Sequence, residues 1–191
     1  MVYIYLVNSK VLVEMFRLVV LFCAVALVKG QTTQVLQCTQ HGGDLPINAY
    51  IEGCNQPPCD LPQLEDAVIN IIFQAPYTMY SMKTLATAYL GSIFGIPYPL
   101  GSNGETCNFL QNTYCPVMKG EVVQYVLRMF IQSTFPVGVQ PEIEFRIVDD
   151  ANKPIVCIRV PIRIAPPNNR IADSSQATHN STMIRKLFGK I

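Results

Sequence analysis

Two cysteines stand five positions apart in Gly53-Cys54-Asn55-Gln56-Pro57-Pro58-Cys59, with a doubled proline between them. Thiols at that spacing can ligate a metal, cycle between thiol and disulfide, or staple the chain. A tetrahedral zinc site needs further ligands at short spacing. The other close pair, Cys107 and Cys115, is wide, and the chain has only two histidines, His41 and His179. The redox motif C-x-x-C does not occur. The staple is the expected chemistry, and the prolines pre-bend its loop so that little entropy is left to lose on closure. Other reactive constellations are missing. The serine of Gly91-Ser92-Ile93-Phe94-Gly95 is misplaced for a nucleophile elbow, and neither H-E-x-x-H nor a glycine-rich phosphate loop occurs. Asp149 and Asp150 lie in a turn-forming run with too few acidic neighbours for calcium. No catalytic residue, metal ligand or cofactor site is nominated, and a binding protein is expected rather than an enzyme.

A structural staple presupposes an oxidising compartment, and the N-terminus carries an address for one. Leu18 to Val28 is uncharged and apolar, Lys10 and Arg17 precede it, and small residues lead up to Gly30. A secretory signal peptide is expected over residues 1–30, with Met15 as an alternative start. A membrane anchor is the rival reading, but a spanning helix wants roughly 20 apolar residues, and Glu14 and Arg17 interrupt any longer run. Cleavage before Gln31 removes Cys23 and leaves six of the seven cysteines. Six cysteines allow about 15 pairings, which sequence cannot choose among. Proximity suggests Cys54–Cys59 and Cys107–Cys115, leaving Cys38 for Cys157. That last bridge closes a loop worth about 4–5 kcal/mol in the chain-entropy picture, against about 2–3 kcal/mol for a short clasp. Charged residues make up 14% of the chain and the net charge is +1, so nucleic acid is not an expected partner.

The elements that hold these cysteines read as strands, short alternating segments separated by Pro, Gly, Asn and Asp. Leu45, Ile47, Ala49 and Ile51 are expected on one face, as are Ile69, Ile71, Phe73 and Ala75, and then Leu85, Thr87, Tyr89 and Gly91. Residues 121–132 alternate as Val123, Tyr125, Leu127, Met129 and Ile131. Val122, Val126, Met129 and Phe130 also fit a helical stripe, but the β-branched and aromatic content favours a strand. Ile143, Phe145 and Ile147 oppose Glu142, Glu144 and Arg146. Val156, Ile158, Val160, Ile162 and Ile164 alternate with Cys157, Arg159, Pro161 and Arg163. With residues 35–39 this gives about seven strands, an all-β sandwich over residues 31–165. The tail, 166–191, is polar and proline-led and is expected to be disordered. It carries a glycosylation sequon at Asn180 and a weakly basic end, MIRKLFGKI, read as solvated. Alternation alone implies a solid core, since interiors pack densely.

A resemblance points elsewhere. The cysteine layout, the C-x4-C clasp, Gly95-Ile96-Pro97-Tyr98-Pro99-Leu100 ahead of Cys107, Cys115-Pro116, Phe135-Pro136, and Asp149-Asp150 ahead of Cys157 resemble Niemann-Pick type C protein 2 relatives of the lipid-recognition (ML) domain family. The resemblance covers about Val35 to Ile164. It implies an immunoglobulin-like β-sandwich of about seven strands, the three bridges above, and an apolar cavity between the sheets. The implied ligand is a sterol, or a fatty acid or other small lipid, passed on to a membrane or membrane-bound acceptor. The implied location is extracellular or the lysosomal lumen. The lipid-binding positions it nominates are Leu100, where sterol carriers of the family have an aromatic, Ile131 and Phe135. Pro97, Tyr98 and Tyr125 complete the expected lining. The alternative is a secreted interaction module, with a solid core or with innate immune or chemosensory lipid recognition.

Overall fold

The computed structural model describes residues 11, 13–17, 30–91 and 95–168. The expected leader falls almost wholly outside these residues, and so does most of the expected tail, with His179, Asn180 and the basic end. The chain forms two compact units, Met1–Gln31 and Thr32–Ile191. In the first, residues 13–17 are helical, with Arg17 paired to Glu14 at 3.3 Å. No helix among the described residues is long and apolar enough to cross a membrane.

The second unit is a β-sandwich. Its strands are β1 (Leu36–Gln37), β2 (Asn48–Ile51), β3 (Cys59–Pro62), β4 (Asp66–Gln74), β5 (Met82–Tyr89), β6 (Gly95–Tyr98), β7 (Val122–Phe130), β8 (Glu142–Asp149) and β9 (Pro154–Ala165). Two 3-10 turns, Gly101–Gly104 and Thr106–Phe109, lie between β6 and β7. The larger sheet runs β1-β9-β8-β5-β6, with β3 added parallel beside β9, and the smaller runs β2-β4-β7. Inward residues of β4, β7, β8 and β9 are the alternating apolar sets read from the sequence, all buried. Fully burying one such aliphatic side chain contributes about 1.5–3 kcal/mol, so these four strands carry most of the fold.

Among the described residues nine strands replace the expected seven or so, because β3 and β6 are short proline-bearing edge strands that alternation does not reveal. Two face assignments change. On β5 the inward residues are Met82, Thr84 and Ala86, whereas Leu85 is 37% exposed. The register decides this: Ala86 lies opposite inward Phe145, and Leu85 lies opposite Arg146. Leu45 and Ile47 are exposed rather than in line with Ala49 and Ile51, because the strand begins only at Asn48, after Pro46.

The disulfides are Cys38–Cys157, Cys54–Cys59 and Cys107–Cys115. The clasp at Cys54–Cys59 sits where the chain leaves β2 in one sheet and joins β3 in the other. Cys38–Cys157 ties the segment after β1 to β9 across 119 positions. The loop that follows presses onto β9 so closely that a Cβ on Gly43 would meet the Cys157 nitrogen at 2.9 Å, at φ +121°.

Candidate lipid site between the sheets

At the end of the sandwich where β5 and β7 finish and β8 begins, the sheets enclose an apolar cavity of about 220 Å³. Ala88, Ile96 and Tyr98 line it from β5 and β6, Ile143, Ile162 and Ile164 from β8 and β9, and Met129 and Ile131 from the smaller sheet. Phe135, Pro136, Val139 and Pro141 close it from the connection between β7 and β8. That connection is held by the free edge at the end of β9. Gly138 donates to the Ile164 carbonyl at 2.8 Å, and Ile164 and Ile162 donate to the carbonyls of Val139 and Pro141, each at 3.0 Å. The Gln63 amide adds a 2.5 Å bond to the Phe135 carbonyl. The rim carries Leu90 and Ile96, which are 56% and 57% exposed.

Of the six nominated positions, Ile131, Phe135, Pro97 and Tyr98 come together here. Tyr98 spans the gap between the sheets: its hydroxyl donates to the Phe130 carbonyl on β7 at 2.6 Å. Its ring meets that of Phe135 at 5.8 Å between centroids, tilted by 43°. Burial pushes the Tyr98 phenol up, so it is a donor at neutral pH. The other two positions lie elsewhere. Tyr125 faces inward as its parity requires, but deep in the opposite end. There the Thr84 hydroxyl donates to its hydroxyl at 2.8 Å, and Thr84 and Thr106 share a hydroxyl bond of 2.8 Å. Burial raises the Tyr125 phenol to about 12. Leu100 follows the end of β6 and opens the first 3-10 turn. It lines a separate open cleft of about 710 Å³ with Lys83, Leu85, Thr87 and Arg146. That cleft is larger, but its charged walls suit an apolar ligand poorly.

Among the residues missed from the sequence were Ile96, Ile143, Ile162, Ile164, Val139 and Pro141. Parity showed three of these isoleucines facing inward; it carries no sign of which end of the interior is left unfilled.

The outer face of the larger sheet holds a polar cluster. Glu144, 1% exposed, accepts from the Thr39 N–H at 3.2 Å and the Tyr89 hydroxyl at 3.2 Å, and pairs with His41 Nδ1 at 2.8 Å. Burial pushes its carboxyl up, but the bonds from His41, Thr39 and Tyr89 outweigh that and hold it below the usual value. Arg159 stands beside it at 3.8 Å and bonds Glu142 at 2.5 Å. Cys38 and Cys157 lie next to Glu144, yet their sulfurs are joined in the disulfide and offer no thiolate to a metal.

A family model described as ML domain matches residues 32–164. Over 146 residues the chain is 22% identical to a Danio rerio protein named NPC intracellular cholesterol transporter 2, covering 76% of this chain and 94% of that protein. A Bos taurus protein of the same name is 24% identical over 115 residues, covering 60% and 73% respectively. Among solved structures, a Niemann-Pick type C2 protein from the Japanese carpenter ant matches with a TM-score of 0.58 at 17% identity, covering 69% of this chain and 98% of that one. At that identity the match speaks to the fold.

Proposed function

Since the chain belongs to the ML domain family, we propose that it is a secreted carrier that holds one hydrophobic lipid between its sheets and hands it to a membrane or a membrane-bound acceptor. The observation that carries this reading is the apolar cavity walled by Ile131, Phe135, Ile143, Ile162 and Ile164, with an exposed apolar rim. A void among apolar side chains is costly. At roughly 24 cal/mol per Å³ a cleft of this volume represents on the order of 5 kcal/mol at most, and a ligand of matching shape recovers part of it while leaving water itself.

The names of the relatives put a sterol first. About 28 heavy atoms at roughly 0.3 kcal/mol each give about 8 kcal/mol, hence a dissociation constant near micromolar. That is tight enough to capture and loose enough to release. The volume supports a second reading, because 220 Å³ falls below the ~300–1,000 Å³ of ordinary small-molecule pockets and suits a thinner single-chain lipid. Both readings place the protein beyond a secretory leader at residues 1–30, in the extracellular space or the lysosomal lumen, with a glycan on Asn180. N-terminal sequencing of the secreted form, expected to begin at Gln31, and a mass shift on glycosidase treatment check these points.

The deciding experiment strips the purified protein of lipid and titrates it with a fluorescent sterol and a fluorescent fatty acid. Saturable binding of one molecule is expected. Saturation by neither probe, nor by lipid co-purified from the native source, rules the carrier out in favour of a secreted interaction module with a closed core.

A further inference from the structure

Inward side chains of the larger sheet form transverse rows set by the register. One row is Ile96–Ala88–Ile143, which walls the cavity. The next row inward is Tyr98–Ala86–Phe145–Ile158. Phe145 and Ile158 in that row belong to the solid core, at 1% and 0% exposure. Tyr98 therefore stands at the boundary between void and packed interior. Its neighbour across the ladder is only Ala86, so the ring has room to lie across the gap.

Three further observations concern the same side chain. Its hydroxyl is bonded to the Phe130 carbonyl of the opposite sheet. Its ring rests on Phe135. Pro97 and Tyr98 are the residues common to the wall of the 220 Å³ cavity and that of the 710 Å³ cleft outside it. One side chain thus bridges both sheets at the end of the cavity. A second cross-sheet bond, from the Asn103 amide to the Arg128 carbonyl at 3.0 Å, holds the adjoining turn against the next exposed carbonyl along β7. It keeps the seam in register without entering the cavity.

We infer that Tyr98 is the specificity-determining residue of this site: latched to Phe130, its ring ends the cavity and admits a single thin hydrocarbon chain while excluding a broad fused-ring lipid. This rests on the carrier reading above and adds which residue selects the ligand. The polar head of such a lipid stays at the rim, since the wall behind it is apolar. Withdrawing the ring lengthens the space between the sheets and makes room for width.

The test uses the full-length secreted protein, stripped of lipid, in three forms: unaltered, Tyr98→Phe and Tyr98→Ala. Each is titrated with a fluorescent single-chain fatty acid and a fluorescent sterol, after the three disulfides and the β-sheet spectrum are verified. Should Tyr98→Ala not accumulate, Tyr98→Leu carries the same comparison. The unaltered protein is expected to favour the fatty acid by about tenfold or more. Tyr98→Ala is expected to move that ratio about tenfold or more towards the sterol. Tyr98→Phe, which keeps the ring and loses the latch, falls between. A ratio that Tyr98→Ala shifts by less than about threefold, or an unaltered protein that takes the sterol as tightly as the fatty acid, overturns the assignment of Tyr98 and leaves the carrier reading standing. Failure of every form to bind either probe overturns both.

Discussion

The two ends of the sandwich interior are built from the same strands and differ in how they are filled. At one end Phe73, Ile71, Met79, Met82, Val117 and Tyr125 are all at most 2% exposed. The hydroxyl of Tyr125 there has its partner in Thr84, which in turn meets Thr106. At the other end Ile131, Ile143, Ile162 and Ile164 face a void, closed by Phe135 and a loop rich in proline. The filled end combines aromatic bulk with satisfied polar groups, which fix one packing. The open end uses branched aliphatics whose shapes do not meet across the gap. Carrier proteins need this division, because the filled end must hold the sheets together whether or not a guest occupies the other.

The contrast is broken most directly by removing bulk from each end. Tyr125→Ala leaves a cavity and removes one of the two hydroxyl partners of Thr84, so a loss of about 3–5 kcal/mol is expected. Phe135→Ala borders space already empty and is expected to cost about 1 kcal/mol or less. Urea denaturation of both variants measures the difference. Equal losses at the two ends show that the interior is uniformly packed and that the cavity does not persist in solution.

Adding bulk sharpens the same division. Ile131→Phe in a packed core is expected to destabilise by about 1–3 kcal/mol. Here it points into the void, so less than about 1 kcal/mol is expected, together with a loss of lipid affinity of about tenfold or more. Unchanged affinity removes Ile131 from the site. Tyr125→Phe is a smaller step at the filled end. It deletes one buried hydroxyl bond, for about 1 kcal/mol, and leaves lipid binding untouched. Titrating this variant with either probe checks that separation.

How far this division was legible depends on the scale at which sequence speaks. Strands β8 and β9 alternate without interruption, so their inward faces were readable residue by residue. On β5 Leu85 and Tyr89 face outward, while Met82, Thr84, Ala86 and Ala88 face inward. Size misled there, because the phase of the strand is set by its pairing with β8 and not by its own composition. Tyr125 faces inward as its parity requires but lies away from the cavity, since parity reports the face of a sheet and is silent about depth along it. Leu100 was nominated from a resemblance of motif, yet β6 ends at Tyr98 and the turn carries Leu100 out of the cavity. Contacts such as His41 with Glu144, separated by 103 positions, are products of the completed fold.

The smallest expected effect is an absence, and it concerns pH. Among the described residues lining the cavity, Tyr98 is the only titratable one, and burial moves it upward, away from neutral. Affinity for the sterol probe, which carries no titrating group of its own, should therefore change by less than about twofold between about pH 5 and pH 8. The rest of the sandwich behaves otherwise. The Tyr77 hydroxyl donates to Asp149 at 2.6 Å and holds its carboxyl below the usual range, and Glu144 is likewise held low. A carboxyl depressed in the folded state contributes stability that is fully present above its unfolded value, about 3.9 for Asp and 4.3 for Glu, and that is lost as pH falls through the lower folded value. Stability should stay level down to about pH 5 and fall below about pH 4, less steeply in Glu144→Gln. Denaturation midpoints across the acid range measure the second curve, and sterol titrations at each pH measure the first. An affinity that moves by more than about threefold above pH 5, while the midpoints hold steady, puts a titrating group against the ligand and so erases the distinction between an apolar open end and a polar, acid-sensitive frame.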